Sequence, residues 1–67
     1  MVTSHQSAKL IKELRYRLGM TQEQFAVQLG VTVSAVNRWE NGKVQPSPLA
    51  LRAMEYLANK DHAMADA

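Results

Sequence analysis

Apolar residues recur along most of this chain at intervals of three and four positions, which is the spacing of one face of an α-helix. Short polar segments containing glycine or proline separate the periodic stretches. No stretch of convincing length alternates apolar and polar residues with the period of two that is typical of a β-strand. The pattern therefore predicts an all-α fold of four to five short helices.

Capping residues and glycines set the predicted limits of these helices. Each helix is expected to begin at a serine or threonine, whose hydroxyl accepts a hydrogen bond from a free backbone N–H, and the first three end at a glycine. The predicted segments are Ser7 to Gly19, Thr21 to Gly30, Thr32 to Gly42 and Ser47 to about Ala58. We therefore expect one domain over residues 7–59, with flexible segments at 1–6 and 60–67.

The second and third helices are short and lie only about three residues apart, which is typical of a helix-turn-helix. Ala26 is small enough to let the two helices cross closely, and Gly30 accommodates a left-handed turn. Val36 and Trp39 are expected to pack the third helix against the body. The opposite, polar face of that helix carries Ser34, Asn37, Arg38 and Asn41.

Length and composition limit the classes of function that this chain can have. At 67 residues without cysteine, the chain has little room for a substrate pocket and cannot form disulfides or thiolate metal sites. It has no glycine-rich phosphate loop and no serine–histidine–acid set, so we expect no enzymatic activity. Its two histidines lie near opposite ends, so we expect no metal or cofactor. No signal peptide or apolar run of roughly 18 residues is present, which favours a cytoplasmic protein.

The charge is distributed unevenly along the chain. The formal net charge is +3 up to Lys43 and −1 from Val44 onward, and the basic part contains the two central helices. Lys9, Lys12 and Arg17 of the first helix are most simply a solvated face. The asymmetry nevertheless favours a polyanionic partner.

Several motifs together resemble the phage-repressor (Cro/cI-like, XRE) family of transcription regulators. They are residues 20–26 (MTQEQFA), 29–34 (LGVTVS), 37–43 (NRWENGK) and Pro46. The resemblance extends from about Leu10 to Leu57. It implies a lambda-repressor-like DNA-binding domain, with a central helix-turn-helix whose third helix enters the major groove.

The resemblance also implies roles for individual positions. The residues expected to contact bases are Val33, Ser34, Asn37 and Arg38. An arginine can bind guanine through O6 and N7, serine can donate or accept, and valine can meet a thymine methyl group. The residues expected to contact DNA phosphates are Gln22, Thr32, Asn41 and Lys43. The structural positions are Arg15 and Glu40, which form a bridge between the first and third helices, together with Ala26, Gly30, Val36 and Trp39.

The sequence thus predicts a transcription regulator of the repressor type, cytoplasmic and associated with the nucleoid. One such module contacts only about four or five base pairs, so a homodimer on a palindromic operator in double-stranded DNA is expected. Two alternatives stay open. One is an antitoxin-type protein whose main role is to bind a protein partner. The other is an adaptor that has kept the fold without DNA binding, against which Arg38 and Lys43 argue.

Overall fold

The computed structural model describes the backbone of residues 3–66 and the side chains of residues 3 and 5–60. Its helices are α1 (Ser4–Arg17), α2 (Gln22–Leu29), α3 (Val33–Glu40) and α4 (Pro48–Asp66). The described backbone contains no β-strand. The predicted all-α, lambda-repressor-like fold with a central helix-turn-helix is confirmed. Within residues 3–66 no helix has the length and apolar character needed to cross a membrane.

Serine and threonine hydroxyls cap the N-termini of the helices. Thr21 Oγ1 accepts a bond from the Gln24 backbone N–H at 3.1 Å, and Gln24 Oε1 accepts one from the Thr21 N–H at 2.9 Å. This reciprocal pair is a capping box, and it lies at the helix start that the sequence predicts at Thr21. Thr32 and Ser47 accept bonds from the N–H three residues further on, at 3.1 and 3.2 Å. Each cap contributes about 0.5–2 kcal/mol to stability.

Helix α1 begins at Ser4, so the predicted N-cap at Ser7 is wrong. Thr3 is the cap, because its Oγ1 accepts from the Gln6 N–H at 3.1 Å while Gln6 Oε1 accepts from the Thr3 N–H at 2.9 Å. This is a second capping box with the same threonine-to-glutamine spacing as the one at Thr21. Ser7 lies inside the helix and donates its N–H to the Thr3 carbonyl at 2.9 Å.

Helix α4 continues to Asp66, beyond the end expected near Ala58. Residues 59–66 contain no glycine or proline, and their alanines and lysine favour helix, so no local signal ends the helix at the expected place. Residues 1, 2 and 67 of the two segments expected to be flexible lie outside the described residues. The domain limits 7–59 and the flexibility of the termini stay predictions.

The core lies where α2 and α3 pack against α1 and the first half of α4. Phe25 and Val36 have exposed fractions of 0%, and burial of each contributes about 1.5–3 kcal/mol. The other members of the cluster are Ile11, Ala26, Trp39, Ala50, Met54 and Leu57. Because Val36 and Trp39 both belong to α3, the core fixes the rotation of that helix about its own axis.

Candidate nucleic-acid interface

Helix α3 has one face in the core and the other in solvent. On the inner face, Val36 is 0% and Trp39 is 7% exposed. The outer face carries the four residues predicted to contact bases, all of them exposed: Val33, Ser34, Asn37 and Arg38. The structure therefore brings these four residues together on one accessible surface.

The turn between α2 and α3 sets the angle at which α3 leaves α2. Gly30 has a φ of +72°, in the left-handed region, and the Val31 N–H donates to the Ala26 carbonyl at 3.0 Å. Ala26 is 3% exposed, as expected for a small residue between packed helices. Thr32, a predicted phosphate contact, is exposed but uses an oxygen lone pair to cap α3 through Ala35. Its hydroxyl proton can still be donated to a phosphate.

Arg15 and Glu40 form a two-pronged ion pair that joins α1 to α3. Arg15 Nε donates to Glu40 Oε2 at 2.6 Å, and Arg15 Nη2 donates to Glu40 Oε1 at 2.9 Å. Arg15 Nη1 donates to the Met20 carbonyl at 3.1 Å. The Arg15 and Glu40 side chains are only 11% and 3% exposed. This is the bridge that the family resemblance implies, and it ties the end of α3 to the last turn of α1.

The surroundings of this pair shift both pKa values towards the charged forms. Burial alone would raise the pKa of the Glu40 carboxyl, but hydrogen bonds from Arg15 and Gln22 outweigh it and leave that pKa below its ordinary value of 4.5. The hydrogen bond to Glu40 raises the pKa of the Arg15 guanidinium. Both side chains are therefore charged at neutral pH.

Gln22 is held at both ends of its side-chain amide. Its Nε2 donates to Glu40 Oε1 at 3.2 Å, and its Oε1 accepts from Asn37 Nδ2 at 3.5 Å. The sequence predicts a phosphate contact here but gives no sign of this bridging position between the ion pair and the outer face of α3. Because Nε2 carries two hydrogens, one N–H can still be donated to a phosphate. The phosphate contact of Gln22 stays a prediction.

Asn37 and Asn41 continue the same chain of contacts along α3. Asn41 Nδ2 donates to Asn37 Oδ1 at 3.0 Å, across one turn of the helix. We call the resulting set the interhelix network: Arg15, Glu40, Gln22, Asn37 and Asn41. The network connects the buried ion pair to the exposed face and orients the amide of Asn37. The sequence indicated two parts of it, the Arg15–Glu40 bridge through the family resemblance and the shared helix face of the two asparagines through their spacing of four.

Lys43, the last predicted phosphate contact, lies three residues after the end of α3. Its side chain is exposed, and its backbone N–H donates to the Arg38 carbonyl at 3.1 Å. This bond holds the lysine close to the helix that carries the predicted base contacts. Among the described residues, no three metal-binding side chains lie close enough together to hold a metal ion. The expectation that the protein uses no cofactor stays a prediction.

Comparison with known proteins identifies the same segment of the chain. The helix-turn-helix family model (HTH_3) matches residues 11–57. An uncharacterized HTH-type transcriptional regulator of Methanothermobacter thermautotrophicus is 34% identical over 53 residues, covering 79% of this chain and 77% of that protein. The uncharacterized HTH-type transcriptional regulator YiaG of Escherichia coli K12 is 38% identical over 47 residues, covering 70% of this chain and 49% of YiaG.

A similar segment occurs in a much larger protein. The Type II methyltransferase M1.ScrFI of Lactococcus lactis subsp. cremoris is 42% identical over 48 residues, covering 67% of this chain but 12% of the enzyme. The chain thus spans about half of YiaG and about one eighth of the methyltransferase. No solved structure matches the chain significantly.

Proposed function

The chain belongs to the Cro/cI-type helix-turn-helix family of DNA-binding regulators, and we propose that it binds a palindromic operator in double-stranded DNA sequence-specifically and represses transcription. The observation that carries this proposal is the two-sided character of α3. Val36 and Trp39 fix its inner face in the core, so its outer face is presented to solvent in one orientation. A preorganised polar helix face is what major-groove recognition requires.

The dimensions of α3 suit the major groove. Its 8 residues span about 12 Å at roughly 1.5 Å per residue. Base pairs are spaced about 3.4 Å apart along the duplex axis, so one helix covers about four of them. The groove, about 12 Å wide, accepts a helix of ordinary diameter.

Arg38 is the strongest candidate for base recognition. It is exposed on the outer face of α3, and a guanidinium can donate two parallel hydrogen bonds to guanine O6 and N7. A bidentate contact of this kind discriminates against other bases by about 1–3 kcal/mol. We assign the neighbouring Val33 and Ser34 to apolar and hydrogen-bonding contacts with adjacent base edges.

Substitutions at Arg38 and Lys43 test this assignment. The operator is first obtained by selection from random-sequence DNA, and affinities are then measured by fluorescence anisotropy on the operator and on scrambled DNA. Arg38→Ala is expected to weaken operator binding about 5- to 150-fold and to relax preference at one base pair. Lys43→Ala is expected to weaken binding on both DNAs alike and to reduce the slope of log K against log salt by about one.

Arg38→Lys is the matched control, because lysine keeps the charge but lacks the planar fork of arginine. If Arg38 contacts guanine through both hydrogen bonds, the lysine variant should lose affinity for the operator but keep its affinity for scrambled DNA, because the charge is retained while the bidentate geometry is lost. Equal losses of the alanine variant on operator and scrambled DNA would contradict a base contact. An unchanged salt slope in Lys43→Ala would remove Lys43 from the interface.

The short reach of α3 supports binding as a homodimer. About four base pairs specify too little sequence, whereas two copies on half-sites about one helical turn apart specify twice as much. Selected sites should therefore be palindromic, and sites with a single, unrepeated half-site would contradict the dimer. The proposal places the protein in the cytoplasm with the DNA and assigns it no catalytic step. The alternative role in binding a protein partner stays a prediction.

A further inference from the structure

A groove of about 540 Å³ lies between α1 and the end of α3, beside the surface predicted to contact DNA. We propose that this groove, here called the α1 groove, binds backbone phosphates of the DNA that flanks the half-site contacted by α3. The inference rests on the proposed function and extends its footprint to residues with no assigned role. The polar side chains that line the groove are His5, Lys9, Lys12, Glu13, Tyr16, Glu40 and Asn41.

The donors of the groove form a row on one face of α1. His5, Lys9, Lys12 and Tyr16 follow one another at spacings of four, three and four residues, and all four are exposed. The row is about 16 Å long at roughly 1.5 Å per residue. Ammonium, imidazole and phenol groups can all donate hydrogen bonds to phosphate oxygens. A row of this length and chemistry fits a stretch of sugar–phosphate backbone better than a single small anion.

The charge balance of the groove favours an anion. Glu40 lies at its floor, but Arg15 neutralises that carboxylate through two hydrogen bonds. Lys12 is close enough to Glu40 to help hold the pKa of the Glu40 carboxyl below its ordinary value. Glu13 is then the only negative side chain set against Lys9 and Lys12 among the residues that line the groove. The groove is therefore net positive.

The groove is continuous with the outer face of α3. Asn41 lines the groove and donates to Asn37, which lies on the face predicted to contact bases. A duplex seated on α3 would therefore bring its backbone towards the mouth of the groove. The Arg15 guanidinium lies 4.7 Å from the centre of the Tyr16 ring. This contact restricts the ring, although Tyr16 is 66% exposed.

Single substitutions on α1, matched with one on α4, test the proposal. Lys9→Ala and Lys12→Ala each remove one charge, and Lys60→Ala removes one from the exposed surface of α4. Operator affinity is measured on two duplexes, one ending at the outer edges of the half-sites and one extended by about five base pairs on each side. For each α1 variant we expect binding to the long duplex to weaken about 5- to 10-fold at 0.1 M salt, with a salt slope lower by about 0.9.

The other measurements separate the possible outcomes. On the short duplex, all three variants should match the unmodified chain, and Lys9→Arg with Lys12→Arg should retain full affinity on the long one. Equal losses in Lys60→Ala would indicate a general charge effect and overturn the proposal. Unchanged binding in both α1 variants would overturn it while leaving the proposed function intact, provided that Arg38→Ala still weakens binding. No operator binding by the unmodified chain would overturn both.

Discussion

Removal of the Glu40 carboxylate is the sharpest test of how this small domain is held together. Glu40→Ala leaves the Arg15 guanidinium buried, with the hydrogen bond to the Met20 carbonyl and the contact with the Tyr16 ring but without its carboxylate partner. Loss of one member of a buried ion pair typically costs about 3–5 kcal/mol, because the other charge stays desolvated without compensation. Since Arg15 retains that hydrogen bond, we expect the lower end, about 3 kcal/mol.

A loss of about 3 kcal/mol is large relative to the total free energy of unfolding of a domain of this size. Stabilities of about 0.05–0.15 kcal/mol per residue give a 67-residue chain roughly 3–10 kcal/mol in total. The substitution should therefore lower the melting temperature by about 12–24 °C. It should also release the end of α3 and the amide of Gln22, because Glu40 contacts both Arg15 and Gln22.

Urea unfolding followed by tryptophan fluorescence measures the effect directly. Trp39 is the single tryptophan of the chain, is 7% exposed and precedes Glu40 on α3. Glu55→Ala, at an exposed carboxylate on α4, is the control and should change the free energy of unfolding by less than about 0.5 kcal/mol.

A double substitution separates the cost of an orphaned charge from the value of the pair itself. Arg15→Met combined with Glu40→Met leaves no buried charge, so it should cost less than Glu40→Ala alone. If Glu40→Ala destabilises no more than Glu55→Ala does, the pair does not fix α3. If the double variant is as unstable as the single one, the cost does not come from an orphaned charge.

Two further predictions concern pH and the turn. Because folding lowers the pKa of Glu40, its contribution to stability is present above pH 4.5 and is lost as the pH falls through the lower folded value. Urea titrations from pH 3 to 7 should show this loss in the unmodified chain but not in Glu40→Gln, and parallel curves would contradict it. Gly30→Ala should cost about 1 kcal/mol through its φ of +72° alone, since a Cβ there meets no atom within 4 Å. Gly30→Asn should lower the free energy of unfolding by less than Gly30→Ala in urea titrations. Equal losses in the two variants would show that the strain does not come from the φ of residue 30.

The helix-turn-helix could be predicted from the sequence because its determinants are local. The capping box at Thr21, the left-handed Gly30 and the cap at Thr32 each act over three or four residues. The same signal was present at Thr3 and Gln6, yet the start of α1 was misplaced. No apolar residue precedes Ala8 within the helix, so the hydrophobic period gives no indication of its first turn.

The parts of the site that the sequence did not reveal depend on contacts between distant residues. Gln22 and Glu40 are 18 positions apart, and a glutamine at a helix start has no sequence pattern that specifies such a partner. Lys9 and Lys12 fit the pattern of a solvated helix face. Only the packing of α1 against α3 places them beside Asn41 and forms a groove.

The hydroxyl caps at Thr3, Thr21, Thr32 and Ser47 have a kinetic consequence. Each capping hydrogen bond joins residues three positions apart, so no helix start depends on a distant residue for its cap. Proteins dominated by such short-range contacts fold in roughly microseconds to milliseconds. A chain melted by a brief rise in temperature should therefore recover its native form within milliseconds of cooling.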